Sequence, residues 1–212
     1  MNHFNQNQTE RILTSIVASP KLHAKWLNTL SFLENCGARK IAACEHPTLV
    51  REEMLKHAAE EFRHAHHLKR QIEKVSIEAM PTYLPQLMLG GIKTLHYLTA
   101  LDLQTSRYLR KLGLSPNSIK EGAYVLVTYA IEVRAEELYA TYDVILRKAG
   151  SRVSIKSILL EEKGHLEEMR EGLQKLESGL IHAQYVCEVE KCLYEKWFGE
   201  VAESVRMELK KE

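Results

Sequence analysis

AAEEFRHAHHL (residues 58–68) and LLEEKGHLEEM (residues 159–169) each set Glu-Glu-x-x-His within a stretch whose apolar residues recur at helical spacing. Glu61 and His64, and likewise Glu162 and His165, stand three residues apart and so share one helix face. Around the first pair that face carries Val50, Met54, Ala58, Ala65, Leu68 and Ile72; around the second it carries Ile155, Ile158, Leu166, Met169 and Leu173. Carboxylates and imidazoles are therefore expected among core residues. An ionised carboxylate there costs on the order of several kcal/mol unless it is paired or bound to a metal.

The rest of the chain reads as a frame for these two segments. Its 212 residues are enough to bury a sizeable core, and 45% hydrophobic with 27% charged residues is a soluble globular composition. The net charge of +1 supplies no electrostatic reason for nucleic-acid or membrane binding. Acidic residues are almost all Glu, with only Asp102 and Asp143 as Asp, and Gly and Pro are sparse; this bias predicts an all-α chain. Cys36, Cys44, Cys187 and Cys192 form no C-x-x-C pair, which excludes a zinc-ribbon or rubredoxin-type site. With no secretory signal and no apolar run of membrane-spanning length, the expectation is a cytoplasmic protein.

Residues 1–20 read as an N-terminal arm or short helix, and 21–212 as a single helical domain. Within it, helices are expected at about 22–44, 47–75, 87–112, 118–148, 152–177 and 180–210, with Pro47 in the first turn of the second and Gly150 capping the fourth. The first and fourth helices each add a carboxylate to an apolar face. Glu34 aligns with Leu27, Leu30, Gly37, Ala38 and Ile41, and Glu132 with Val125, Tyr129, Glu136 and Tyr139. Four carboxylates converging in a core would repel one another; two divalent cations held by Glu34, Glu61, His64, Glu132, Glu162 and His165 resolve that conflict.

One Glu from each of two helices and Glu-x-x-His from each of two others is the di-metal pattern of helical bundles. On these residues, in this order, the chain resembles the ferritin-like di-iron carboxylate superfamily over about residues 22–177. The resemblance implies a ferritin-like four-helix bundle, with the 87–112 helix as crossover and the last helix as a C-terminal accessory. It also implies two Fe ions, with Mn or a mixed Fe/Mn pair allowed. Glu60 and Glu161, each preceding a motif glutamate, would steady the other motif's histidine. Glu136 shares a face with Glu132 and stands as an alternative or extra ligand. His57, one turn before Glu61, reads as a packed or supporting histidine more readily than as a seventh ligand, and Tyr129 and Tyr139 as core aromatics. Gly37, Ala38 and Gly164 beside the ligands read as room for oxygen or substrate, or as close helix packing.

The implied activity is an oxidoreductase acting with dioxygen or peroxide, an oxygenase or oxidase of a small-molecule substrate served by an electron donor. The alternatives are a rubrerythrin-like peroxidase, an iron-handling protein or, from a different class, a metal-free helical interaction module. The last helix leaves room for a homodimer.

Overall fold

A computed structural model describes residues 6–46 and 48–211. They fold as α1 (Gln6–Ala18), α2 (Pro20–Ala43), α3 (Glu52–Ile72), α4 (Gly91–Lys111), α5 (Pro116–Lys148), α6 (Lys156–Gln174) and α7 (Gly179–Leu209), with a 3-10 turn at Pro85–Leu87 and no strand among the described residues. The chain is all-α, and none of its described helices is long and apolar enough to cross a membrane.

Local sequence accounts for where the main helices begin and end. Both α2 and α5 open with Ser-Pro: Ser19 and Ser115 accept hydrogen bonds from the Leu22 and Ser118 amides, and the proline occupies the first turn. Losing such a cap costs about 1 kcal/mol. At the other end of α5, Gly150 takes φ +61, and the Gly150 and Ser151 amides bond back to the Arg147 and Leu146 carbonyls. That is the Schellman closure the sequence predicts at Gly150. Entry into α7 depends on Gly179, where a Cβ would stand 2.1 Å from the Leu173 carbonyl oxygen.

Consecutive helices α2 and α3 pack together, as do α5 and α6, giving two hairpins that face each other through α3–α6 contacts. Between them, α4 packs on α5 and α7, and α1 lies against α2, α5 and α7. The long connection 73–90 is pinned from below. Buried Asn28 donates to the carbonyls of Thr82 (3.1 Å) and Leu87 (2.9 Å), and Lys69 donates to Asn28 (2.5 Å) and to the Met80 carbonyl. An aromatic seam joins α2, α4 and α7. Trp26 stacks on Trp197 at 6.2 Å, and Trp197 on Tyr97 at 5.1 Å. Beside it, buried Glu190 accepts from Arg134 Nε and Nη2 (3.1 and 2.9 Å) and from the Tyr97 hydroxyl.

Residues 6–18 take the short-helix alternative of the sequence reading, with Leu13 and Ile16 fully buried, so apolar burial holds this stretch to the core. The starts of later helices differ from that reading. The second expected helix begins at Glu52 instead of 47, because His46 Nδ1 accepts the Thr48 and Leu49 amides (3.2 and 3.0 Å) in a turn; Val50 consequently stands outside, 73% exposed. Pro47 itself lies outside the described residues. The fifth begins at Lys156, since residues 152–155 leave the helix to bury Val153 and Ile155.

Candidate metal centre

Helices α2, α3, α5 and α6 bring Glu34, His57, Glu61, His64, Glu132, Glu162 and His165 into one buried cluster, none more than 9% exposed. Two groups of possible donors stand out. Glu34, Glu61, His64 and Glu162 each offer an atom within 4.8 Å of the others, and so do His57, Glu61, Glu132 and His165. Glu61 belongs to both. Glu162 lies between them, with one oxygen 3.1 Å from His64 Nδ1 and the other 4.0 Å from His165 Nδ1.

The two imidazoles are held from outside by the glutamates preceding each motif glutamate, and the pairing crosses between helices. His64 Nε2 bonds Glu161 on α6 at 2.7 Å, and His165 Nε2 bonds Glu60 on α3 at 2.9 Å. With Nε2–H donated outward, each Nδ1 faces the cluster, where a neutral imidazole would offer its lone pair. Arg63 (2.7 Å) braces Glu161, and Lys56 (4.0 Å) stands near Glu60.

Toward the middle the polar atoms lack partners. Glu61 Oε1, Glu132 Oε2, Glu162 Oε1, and the Nδ1 atoms of His57, His64 and His165 are buried without a hydrogen bond; they make up six of the nine such side-chain atoms among the described residues. His64 Nδ1 and Glu162 Oε1 come within 3.1 Å of each other, yet their directions do not form a hydrogen bond. Orphaned buried polar atoms are scarce in folded proteins and call for an explanation. Here they come together from α3, α5 and α6, as donors around a cation do.

Charge tells the same story. Burial, reinforced by Glu61 and Glu162, raises the Glu34 carboxyl well above its usual range, and burial with Glu162, Glu61 and Glu34 does the same to Glu132. Glu61 meets the same burial penalty, but the adjacent imidazoles of His165, His57 and His64 and the Glu34 carboxyl outweigh it and hold its carboxyl below the ordinary value. Without cations, burial and mutual repulsion thus favour the protonated form of Glu34 and Glu132.

All six residues expected as ligands lie in this cluster, and Glu60 and Glu161 touch the histidines assigned to them. His57, expected to be a packed or supporting residue, does more: its Nε2 reaches Glu132 at 3.1 Å and Glu61 at 3.6 Å. Tyr139 donates its hydroxyl to Glu34 Oε1. Tyr129, by contrast, is half-buried against a separate apolar cluster, and half-buried Glu136 joins neither donor group. Gly164 faces open space, so it makes room for nothing at the site; Gly37 lies beside Glu61, its would-be Cβ 3.5 Å from Oε2. His66 is exposed, and His67 bonds the Ser154 carbonyl at 2.7 Å.

Sequence reasoning missed the cavity on which Glu34, Glu61, Glu132 and Glu162 open, walled by α2, α4 and α5 and including Lys40, Leu98, Asp102 and Thr128. The only sequence signal for it is the small residue Gly37 on the ligand face of α2. Comparisons with protein-family models, with curated proteins and with solved structures return no match.

Proposed function

We propose that this chain is a non-haem di-iron carboxylate oxidoreductase of ferritin-like architecture, with manganese or a mixed pair as the other metal content. The observation that carries this reading is the pair of buried donor groups sharing Glu61, with their inward atoms unpartnered. The donors are carboxylate and imidazole without thiolate, a set that suits iron or manganese, and also zinc. Glu34 and His64 would hold one ion, Glu132 and His165 the other with His57 bonded to Glu132, and Glu61 and Glu162 would serve both. Such a metal pair supplies redox chemistry toward dioxygen or peroxide.

The chain's own residues prepare that chemistry. Glu60 and Glu161 fix the imidazole orientation, Tyr139 holds one oxygen of Glu34, and His57 holds one oxygen of Glu132. Apolar walls around the carboxylates exclude water, which strengthens every electrostatic interaction inside. A peroxidase or an iron-handling protein could use the same donors; the cavity reaching the carboxylates supports an oxygenase or oxidase of an organic substrate instead. A metal-free scaffold would gain stability by replacing these groups with apolar ones, so six orphaned polar atoms weigh against it.

The deciding experiment is anaerobic Fe(II) loading of chelator-stripped protein, with metal counted per chain, followed by admission of oxygen while the near-ultraviolet and visible spectrum is recorded. Two irons per chain and a new oxygen-dependent absorption are expected. A cooperatively folded protein that takes up no stoichiometric iron or manganese would overturn the assignment.

A further inference from the structure

Two connections between helices present aliphatic side chains where polar ones would serve the chain equally well. In the α4–α5 turn Gly113 takes φ +78 with open space around its would-be Cβ, and Leu112 and Leu114 flank it at 47% and 41% exposure. The glycine lets the chain reverse there without steric cost; the reversal asks nothing apolar of its neighbours. In the first turn of α7, Leu180 and Ile181 stand 73% and 67% exposed.

These two tips lie side by side at one end of the bundle. Tyr108, one turn before Leu112, stacks on Tyr185 of α7 at 4.1 Å, and its hydroxyl meets Nδ1 of His182, the neighbour of Ile181, at 2.7 Å. Four large aliphatic side chains are thereby gathered on one surface, and a contiguous exposed apolar patch marks a place of interaction.

The charge around the patch identifies the partner. From Arg107 to Lys120 the chain carries four cations and no carboxylate, an asymmetry that the overall charge of +1 conceals. Arg107, Arg110 and Lys111 are exposed, and none forms an ion pair among the described residues. In the connection before α7, Lys175 offsets Glu177. A second copy of this chain docked on the same patch would bring these unpaired cations against one another. Single-stranded nucleic acid is held by aromatic faces on which its bases stack, whereas the tips are Leu and Ile, and Tyr108 and Tyr185 already stack on each other. An anionic bilayer suits both features at once: aliphatic tips enter the boundary between headgroups and acyl chains, while Lys and Arg remain among the headgroups.

We infer that this end of the bundle docks reversibly on an anionic lipid surface, with Leu112, Leu114, Leu180 and Ile181 inserted and Arg107, Arg110 and Lys111 at the headgroups. The docking uses no donor residue of the candidate metal centre, so it stands or falls separately from the di-metal reading.

Co-sedimentation of the full chain with sucrose-loaded vesicles tests it. Vesicles of phosphatidylcholine with phosphatidylserine should bind the protein, and phosphatidylcholine alone should bind it at least about tenfold more weakly, since each cation near the surface contributes about 1 kcal/mol, or about fivefold. Binding should collapse at 1 M salt, where the Debye length is about 3 Å. Leu112→Ser with Leu114→Ser should lower partitioning about tenfold, as two half-exposed leucines lose their burial, with helical circular dichroism and iron uptake at wild-type values. Leu180→Ser with Ile181→Ser should do the same and carries the test should the first pair fail to fold. Arg110→Gln with Lys111→Gln should lose at least about tenfold on the anionic vesicles and little on the neutral ones. No binding to phosphatidylserine vesicles at low salt, equal binding to neutral vesicles, or wild-type partitioning in a folded Leu112→Ser, Leu114→Ser variant would each overturn the inference. A uridine oligonucleotide that displaces the vesicles and binds the leucine variants as well as wild type would overturn it in favour of nucleic acid. A dimer that the leucine substitutions abolish, without vesicle binding, would give the face to a second copy instead.

Discussion

The α3 and α6 halves of the candidate metal centre use one plan with a single change. Each places two successive glutamates and a histidine so that the first glutamate holds the opposite histidine and the second turns inward. Four residues before the inward glutamate, however, α3 carries His57 where α6 carries Ile158, and both side chains are essentially fully buried. Isoleucine shows what this framework accepts when only packing is asked of the position. An imidazole there has an unpartnered Nδ1, a burial cost that a purely structural role does not repay. The consequence reaches the outlying carboxylates: Glu132 is held by His57, and Glu34 by the hydroxyl of Tyr139. Near-symmetric helices thus build two chemically different pockets, and the ions in them should differ in affinity.

The shared residue sets the largest effect. Glu61 contributes to both donor groups, so Glu61→Ala should reduce bound metal from two ions per chain to none, whereas a site built of independent halves would retain one. Metal analysis after gel filtration tells the two apart. His57→Ile makes the α3 half copy α6. It should weaken the ion at Glu132 and His165 by about 10–100-fold, the usual loss when a group supporting a metal site is removed, and leave the other ion in place. In the metal-stripped variant the orphaned Nδ1 is gone but buried Glu132 loses its hydrogen-bond partner, so no gain in Tm is expected. Titrations in which both ions weaken equally, or neither does, would break the asymmetry.

A smaller effect probes the part of the plan the halves share. Glu60→Gln and Glu161→Gln keep a hydrogen-bond acceptor for the opposite histidine but remove its charge. About tenfold weaker metal binding is expected for each. Glu60, the less exposed of the two (16% against 29%), should show the greater loss. Unaltered affinity in both variants would reduce these glutamates to surface residues.

How much of this the sequence discloses depends on how local the cause is. Glu61, His64, Glu162 and His165 are legible because a three-residue interval fixes two side chains to one face, and the flanking apolar residues identify the face as buried. Glu132 is legible only together with Glu136: a four-residue interval also shares a face, and only packing decides that Glu132 is buried and Glu136 half-exposed. His57 suffers the same ambiguity, since one turn before Glu61 suits a packed side chain as well as a donor. Gly164 misleads in the opposite way. It adjoins His165 in sequence, but one residue is about 100° around a helix, and the position faces solvent. The cavity walls come from three helices far apart in the chain, and no spacing rule joins Leu98 to Thr128. The all-α class rests on composition summed over the whole chain, which is why it survives while individual helix starts move by several residues.

The smallest expected effect concerns a histidine outside the cluster and serves as the control for the comparison. His57, His64 and His165 are each buried beside carboxylates; His23 is buried with only the Tyr142 hydroxyl, 2.6 Å away. Burial without a counter-charge lowers its pKa from 6.5 to about 4. In the unfolded chain His23 takes a proton near its ordinary pKa, while the folded protein resists one until about pH 4, so protons bind preferentially to the unfolded state between these values. The stability that neutral His23 contributes is fully present above about pH 6.5, declines as pH falls, and is gone below about pH 4. By linkage the decline is on the order of 3 kcal/mol. His23→Gln keeps a polar group within reach of Tyr142 but cannot titrate, so its denaturation midpoints should fall less steeply than wild type across that window, with metal uptake at neutral pH unchanged. Parallel wild-type and variant profiles would mean that His23 takes up a proton in the fold near its ordinary pKa, and the distinction between histidines buried with carboxylates and without them would fail.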